Sequence, residues 1–167
     1  MKFVLIDRIV SLELPSRIVT SKSLTLAEEY LADHFPTFPV MPGVMMLEAM
    51  VQSAAWLVRA GSEFRHSVVA LEEAKNINYK SFVSPGRTLE VTAELAESGD
   101  NWSDFKAFGR SGAEEMVKAR FRLRHYNLAD ANTAMADVDA RLIADAKKTF
   151  ALLGGPGAMK SAAALNA

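Results

Sequence analysis

The part of the sequence that most constrains the fold is residues 33–57, where a proline-rich loop runs into a long apolar segment. Three prolines lie within its first ten residues, so we expect residues 34–41 to be extended and stiff. The third, Pro42, suits the first turn of a helix, and the residues up to Val58 are apolar on almost every side. The sequence therefore predicts a central helix that is wrapped by the rest of the chain and ends near Gly61.

Two polar residues interrupt this apolar helix, Glu48 and Gln52, and their spacing of four places them on one face. A lone carboxyl group is costly to bury unless it is paired or has a function. One interpretation is a structural Glu48 that is satisfied by Gln52 and the backbone. The other is a catalytic carboxyl group.

The same choice applies to His34, because a histidine beside prolines is often only a loop residue bonded to a carbonyl. The combination is more informative than either residue alone: His34 lies in a rigid loop, Gly43 at a helix start, and Glu48 about a turn further in. These groups suit acid–base chemistry beside a polarised carbonyl.

At these positions the sequence resembles the FabZ-type 3-hydroxyacyl-(acyl carrier protein) dehydratases, whose signature is an H-F-P loop followed by M-P-G-V and L-E-A. The matching segments are His34-Phe-Pro, Met41-Pro-Gly-Val and Leu47-Glu-Ala-Met-Val-Gln. The family's spacing of fourteen from the histidine to the glutamate is kept. Weaker similarity extends the resemblance to about residues 1–126.

The resemblance implies removal of water from a 3-hydroxyacyl thioester on acyl carrier protein, leaving a trans-2-enoyl product. His34 would take the C2 proton, Glu48 would hold or protonate the departing hydroxyl, and the Gly43 N–H would bind the thioester oxygen. Four further residues would belong to the substrate-binding site: Phe35, Pro42, Val44 and Gln52.

In this family the histidine and glutamate of one site come from two subunits. The resemblance therefore implies a homodimer with shared active sites and leaves open a trimer of such dimers. Neither a cofactor nor a metal is required. The related FabA-type enzymes carry Asp where Glu48 stands, so Glu48 favours the dehydratase without double-bond isomerisation. A hotdog acyl thioesterase and a non-catalytic hotdog protein that binds acyl chains or a partner are the alternative functions.

Composition excludes several other classes of function. The chain has 167 residues, a single-domain length, and a net charge of −1, which argues against nucleic-acid binding. It has no cysteine and three dispersed histidines, so a metal site is not expected. A charged pair interrupts the apolar start after four residues, and no stretch reaches transmembrane length without a charge. We expect a cytoplasmic protein with no membrane span.

Strand patterns flank the central helix on both sides. Residues 3–14 and 17–26 predict a hairpin, and the second half predicts five more strands at 68–71, 77–82, 88–95, 102–108 and 116–126. In the last of these, apolar residues alternate with basic ones, which predicts one buried and one solvated face. The expected architecture is α+β, a long central helix wrapped by a curved antiparallel sheet, which is also the hotdog fold that the resemblance implies.

The basic side of the last strand consists of Lys118, Arg120, Arg122 and Arg124. It is either a docking surface for the acidic acyl carrier protein or a solvated face that neighbouring acids such as Glu90 and Glu94 balance.

The chain divides at about residue 127, where Ala and Asp become frequent. Residues 1–126 predict the hotdog domain. Apolar residues then recur at helical spacing from Met135 to Leu153, so residues 127–154 predict an added amphipathic helix. Residues 155–167 are small and weakly patterned, which predicts a disordered tail. The helix could lie on the outer sheet surface or a neighbouring subunit, or it could cap the acyl tunnel, where Phe150 and Leu153 would set chain length.

Overall fold

The fold is α+β, as predicted, and the computed structural model describes residues 3–35 and 37–159. Six strands form one antiparallel sheet in the order β1-β2-β4-β5-β6-β3. The strands are β1 Arg8–Glu13, β2 Arg17–Ser23, β3 Val68–Tyr79, β4 Thr88–Ser98, β5 Trp102–Ser111 and β6 Glu114–Tyr126. The helices are α1 Tyr30–Asp33, α2 Gly43–Gly61, α3 Ala136–Leu152 and α4 Gly155–Ala158.

The long helix α2 is the centre of the core and packs against β2 to β6. Its buried residues include Met46, Met50 and Leu57. The facing residues of β6 are Val117, Ala119, Phe121 and Leu123, and all four are buried. This confirms the predicted alternation in the last strand. It also confirms a hotdog arrangement of one helix wrapped by an antiparallel sheet.

Three details differ from the sequence predictions. The segments 68–71 and 77–82 are not two strands, because β3 continues through the intervening residues with register shifts at Leu71/Glu73 and Lys75/Asn78. Such bulges absorb polar residues that break a strict alternation. The first strand begins at Arg8, not at residue 3. The helix α1 was not predicted.

The loop before α2 is not fully extended either. Phe35 has a φ of 49°, and the Phe38 N–H donates to the Phe35 carbonyl at 2.8 Å, which closes a turn. Pro36 lies outside the described residues. The chain therefore turns between His34 and the start of α2 and does not run straight into the helix.

The C-terminal helix α3 confirms the predicted amphipathic segment. Phe150 is buried, with its ring centroid 6.0 Å from Trp56 and 5.4 Å from Phe64. At its other end, buried Asp139 accepts hydrogen bonds from the Ser67 hydroxyl and from two backbone N–H groups. The helix therefore lies against the helical side of the core, and the prediction that it lies on the outer sheet surface is wrong.

The prediction of a disordered tail from residue 155 is wrong at its start. Gly155–Ala158 form α4, which follows Gly154 in the left-handed region, and Met159 bridges to Leu12 of β1. The Ile9 N–H also donates to the Leu153 carbonyl at 2.8 Å. These contacts cover the β1 edge of the sheet. The remainder of the predicted tail, residues 160–167, lies outside the described residues. Within residues 3–35 and 37–159 no helix combines the length and apolarity that a membrane crossing needs.

Candidate active site

The N-terminal end of α2 presents backbone N–H donors that no described side chain caps. Pro42 is buried at the N-cap position, and its carbonyl accepts from the Met45 and Met46 N–H groups at 2.9 and 3.2 Å. No side chain of the described residues caps this end. The first N–H groups of a helix, here those of Gly43 and Val44, lie at the positive end of its dipole and point toward any bound acceptor. This end of α2 can therefore bind a carbonyl oxygen.

Gly43 leaves little space for a side chain at this end. A Cβ built on Gly43 would lie 3.1 Å from the ring of Tyr79, the last residue of β3. The aromatic ring thus packs directly on the helix start, and a larger residue would displace it. Glycine keeps the backbone N–H close to the surface.

Glu48 is held one and a half turns further along α2. It is half-buried, and its Oε1 accepts from Gln52 Nε2 at 2.9 Å. Gln52 also donates to the Phe3 carbonyl at 3.1 Å and accepts from the Leu5 N–H at 3.0 Å. Three bonds therefore fix Gln52 and, through it, one oxygen of Glu48. Gln52 acts here as a positioning residue that ties the N-terminal segment to α2.

Glu48 and Gln52 both line a cavity of about 400 Å³ between α2 and α3. This volume falls within the ordinary range for small-molecule sites. The α2 residues of the lining are Glu48, Val51, Gln52, Ala55, Trp56 and Arg59, one face of the helix. The α3 residues include Leu142 and Thr149, and Leu153 follows α3, so the added helix supplies the opposite wall. Of the two residues predicted to set chain length, Leu153 lines the cavity and Phe150 packs behind it.

His34 lies at the end of α1 and is half-buried, with its ring 4.4 Å from that of Phe35. It is not among the residues that line the cavity beside Glu48. One chain therefore does not bring His34 and Glu48 together in that cavity. Val44, one of the predicted substrate-binding residues, lies on the first turn of α2 and is 66% exposed.

The region around Val44 is an exposed apolar patch formed by Phe35, Phe38, Val44, Ile77, Tyr79 and Phe82. The rings of Phe38 and Phe82 meet edge to face at 5.8 Å. Beside the patch, the outer edge of the 12-residue strand β3 has no neighbouring strand among the described residues. Exposed apolar surface next to an open strand edge is typical of an interface.

Only part of the basic side of β6 is free of ion pairs with other described residues. Arg122 forms a two-pronged ion pair with Asp104, both bonds at 2.7 Å, and its guanidinium lies 4.2 Å from the centre of the Trp102 ring. Asp104 raises the pKa of Arg122 well above its usual range. Arg124 lies 3.8 Å from Glu72. Lys118 and Arg120 form no ion pair within the described part of the chain.

The acids that balance this face differ from those expected. Glu90 and Glu94 lie on β4 and are cross-strand partners of Arg110 and Lys106 on β5. They are therefore one strand removed from β6. The neighbours of the β6 basic residues are Asp104 on β5 and Glu72 on β3, which the sequence could not specify before the strand order was known.

Sequence reasoning missed the inner part of the cavity. A basic residue such as Arg59 near a helix C-terminus is expected on structural grounds alone, yet Arg59 lines the cavity with Trp56, Ser67 and Asp145. A signal was present, because Arg59 follows Glu48 by eleven residues, which is three helical turns and returns to the same face. What the sequence could not supply is the position of α3 opposite that face.

The fold and this cavity define the chain as a hotdog protein with a carboxyl group on the central helix. Among solved structures, the dehydratase heterocomplex ApeI:P from Xenorhabdus doucetiae superimposes with a TM-score of 0.65 at 12% identity, covering 80% of this chain and 90% of that one. A Streptococcus mutans protein bound to acetyl CoA gives a TM-score of 0.58 at 16% identity, with 75% and 92% covered. At these identities the likeness concerns the fold.

Sequence comparison defines the family more narrowly. Residues 1–107 match the family model described as FabA-like domain. The 3-hydroxyacyl-(acyl-carrier-protein) dehydratase FabZ of Gluconacetobacter diazotrophicus is 36% identical over 121 residues, 71% of this chain and 75% of the relative. The FabZ of Rickettsia akari is 33% identical over 120 residues, 71% and 83% of the two chains. The chain belongs to the FabA-like family, among its FabZ-type members, which confirms the resemblance.

Proposed function

We propose that this protein dehydrates 3-hydroxyacyl thioesters carried on acyl carrier protein to trans-2-enoyl thioesters, in the biosynthesis of fatty acids or related acyl chains. The observation that carries the proposal is the position of Glu48. Its carboxyl group lies just beyond the uncapped start of α2, at a cavity of about 400 Å³ that is lined mainly by apolar residues. Membership of a family whose curated relatives are named dehydratases supports the same activity.

The reaction would use three groups. The imidazole of His34 takes the proton from C2, and negative charge moves to the thioester oxygen, where the Gly43 N–H donates a hydrogen bond. The C3–O bond then breaks, and protonated Glu48 gives its proton to the departing hydroxyl, which leaves as water. The proton on His34 returns to Glu48 through solvent, which restores both groups. Phe35, Pro42 and Val44 line the entrance, and Gln52 orients Glu48.

The site would be shared between two copies of the chain. One copy presents Glu48 in its own cavity and His34 outside it, next to the exposed patch around Val44. Pairing of two β3 edges would bury that patch and bring His34 of one copy toward the α2 helix of the other. The β1 edge is covered by Met159, so the sheet can be extended from β3 more readily than from β1.

The carrier protein would dock on the outer sheet surface near Arg120. Arg120 is the cross-strand neighbour of Lys106 and Lys75, so three basic residues form one row across β5, β6 and β3. Since acids pair with Arg122, Arg124 and Lys75, the better candidates for contacts with an acidic partner are Lys106, Arg120 and Lys118. A cytoplasmic location remains a prediction from the sequence.

One assay on a single 3-hydroxyacyl thioester tests the proposal. Dehydration produces an enoyl thioester that absorbs in the ultraviolet, and a thioesterase would instead release a free thiol. We expect enoyl product without thiol. Thiol release would support the thioesterase alternative, and neither product, with measurable binding of the thioester, would support a non-catalytic acyl-binding protein.

A further inference from the structure

The cavity wall at the C-terminal end of α2 contains an arginine with a buried N–H donor that is unpaired within the described part of the chain. Arg59 lines the cavity on the last turn of α2, and its Nε is shielded from solvent and makes no hydrogen bond to any described residue. Its guanidinium lies 5.4 Å from the centre of the Trp56 ring. The ring holds the guanidinium in place but does not satisfy the N–H donor.

Among the described residues, no carboxylate forms an ion pair with Arg59. Burial lowers the pKa of Arg59, and no neighbouring acid opposes that effect. Asp145 lines the same cavity, but it is largely exposed and pairs with Lys148 at 3.5 Å. A buried donor left unpaired is costly, so such a group in a cavity wall is a good candidate for contact with a ligand.

We propose that Arg59 binds an oxygen-bearing group at the far end of the acyl chain, so that this enzyme selects chains with a polar terminus over chains that end in a methyl group. The inference rests on the proposed function, because it takes the thioester end of the chain to lie at Glu48. Two further polar residues of the lining, Ser67 and Thr149, would surround the same terminal group. A purely hydrocarbon chain would instead leave the Arg59 Nε without a hydrogen-bond partner.

The positions of Glu48 and Arg59 set the length of chain that would fit. Eleven residues of helix separate their Cα atoms by about 16 Å. An extended chain advances roughly 1.2 Å per bond. A polar group roughly a dozen bonds from the reacting carbon would therefore reach Arg59. Leu153 is a buried residue of the cavity lining and would limit longer chains.

The test compares two 3-hydroxyacyl-pantetheine thioesters of equal length, roughly a dozen carbons, one ending in a hydroxyl and one in a methyl group. We expect the full-length protein to prefer the hydroxyl-ended substrate, and Arg59→Met to lower kcat/KM for that substrate by about 10- to 100-fold. The loss of kcat/KM on the methyl-ended substrate should be much smaller, because that substrate offers no acceptor to Arg59. Arg141→Met is the matched control, since it removes an exposed arginine of α3 that does not line the cavity.

Equal kcat/KM for the two substrates in the unaltered protein would overturn the inference, as would equal losses on both substrates in Arg59→Met. If that variant does not fold, Arg59→Lys tests the same point, because the shorter point charge should weaken the preference without abolishing it. Calorimetry with inert acyl-pantetheine amides of the two types separates this inference from the dehydratase proposal. If neither thioester is dehydrated, the proposed function fails, and the amide affinities still decide whether Arg59 selects the polar end.

Discussion

The two ends of α2 are built in different ways. At the N-terminal end, the backbone donors of Gly43 are uncapped, Val44 is exposed, and the ring of Tyr79 lies at the surface. At the C-terminal end, Trp56 and Arg59 face α3, and the ring of Phe150 packs between Trp56 and Phe64. We call the N-terminal end open because Val44 and Tyr79 are exposed there, and we call the C-terminal end closed because α3 of the same chain packs on it.

This difference would separate the two functions of the proposed enzyme, catalysis at one end of α2 and selection of the acyl chain at the other. Among the described residues, His34 does not line the cavity beside Glu48, and the open end has apolar surface to bury, so its proposed chemistry would depend on a second copy. The closed end needs no partner, because α3 completes the cavity wall. Catalysis would thus depend on assembly, whereas chain selection would be a property of each subunit.

Substitutions at the open end should have the largest effect, and that effect should be on dehydration. His34→Ala and Glu48→Gln should each lower dehydration by about 10²- to 10⁴-fold, because each removes one proton-transfer group. Neither should change the melting temperature much, since both side chains are only half-buried. Mixing the two inactive variants should then restore activity, because each mixed dimer contains one site with both His34 and Glu48 unaltered.

Subunit exchange must be demonstrated in that experiment with differently tagged chains. Recovery of activity supports a site shared between copies. Proven exchange without recovered activity would contradict the shared site and require His34 and Glu48 of one chain to work together.

The open end was also the more predictable from sequence, for a physical reason. Its features are local: prolines restrict the loop, Pro42 and Gly43 start the helix, and Glu48 and Gln52 share a face by their spacing. The closed end depends on contacts between residues far apart in the chain, such as Phe150 with Trp56 and Ser67 with Asp139. Periodicity predicted α3 itself but not the surface that it covers.

Two other sequence predictions were wrong because they also depend on contacts between residues far apart in the chain. Polar residues near Glu73 indicated a turn, but the neighbouring β6 keeps this segment paired through bulges. Small residues after Gly154 indicated disorder, but Gly155 packs so closely on the Phe150 ring that only glycine fits, and this contact orders α4. In both cases tertiary contacts outweigh a local pattern.

Substitutions at the end of α3 and directly after it should separate effects on stability from effects on chain selection at the closed end. Phe150→Ala removes a buried ring behind the cavity and should cost about 3–5 kcal/mol of unfolding free energy, roughly a 10 °C fall in melting temperature. Its profile of accepted chain lengths should stay unchanged. Leu153→Phe enlarges a lining residue and should shift that profile toward shorter chains, at a cost of about 1–3 kcal/mol. A shifted profile for Phe150→Ala alone would show that the cavity wall has been assigned to the wrong residue.

Charge reversal on the outer sheet surface should have a smaller effect, distinct from both ends of α2. Arg120→Glu should lower kcat/KM a few-fold for carrier-bound substrate, and added salt should reduce the difference, because screening weakens charge attraction. Pantetheine thioesters should react as before. Arg122→Glu is the comparison variant, since it breaks the pair with Asp104 and should destabilise the sheet for both substrates. Equal losses on both substrates for Arg120→Glu would indicate structural damage and argue against docking there.

The smallest expected effect is a pH dependence of the free energy of unfolding. It arises from His66 and His125, which lie near the closed end of α2 with ring centroids 4.7 Å apart. The Nδ1 atoms of both are buried without a hydrogen-bond partner in the described structure. Burial, together with the nearby charge of Arg65, lowers the pKa of each imidazole in the folded chain.

Since the unfolded chain binds protons at higher pH than the folded one, these histidines stabilise the fold fully only above their ordinary pKa of about 6.5. That stability is lost as the pH falls from about 6.5 through the lowered folded-state pKa values. The melting temperature should therefore decrease between about pH 7.5 and pH 5, and the decrease should be smaller in His125→Gln, which keeps an amide that can bond to Ser103. An unchanged pH dependence in that variant and in His66→Gln would show that carboxyl groups elsewhere, and not this imidazole pair, control the acid stability of the fold.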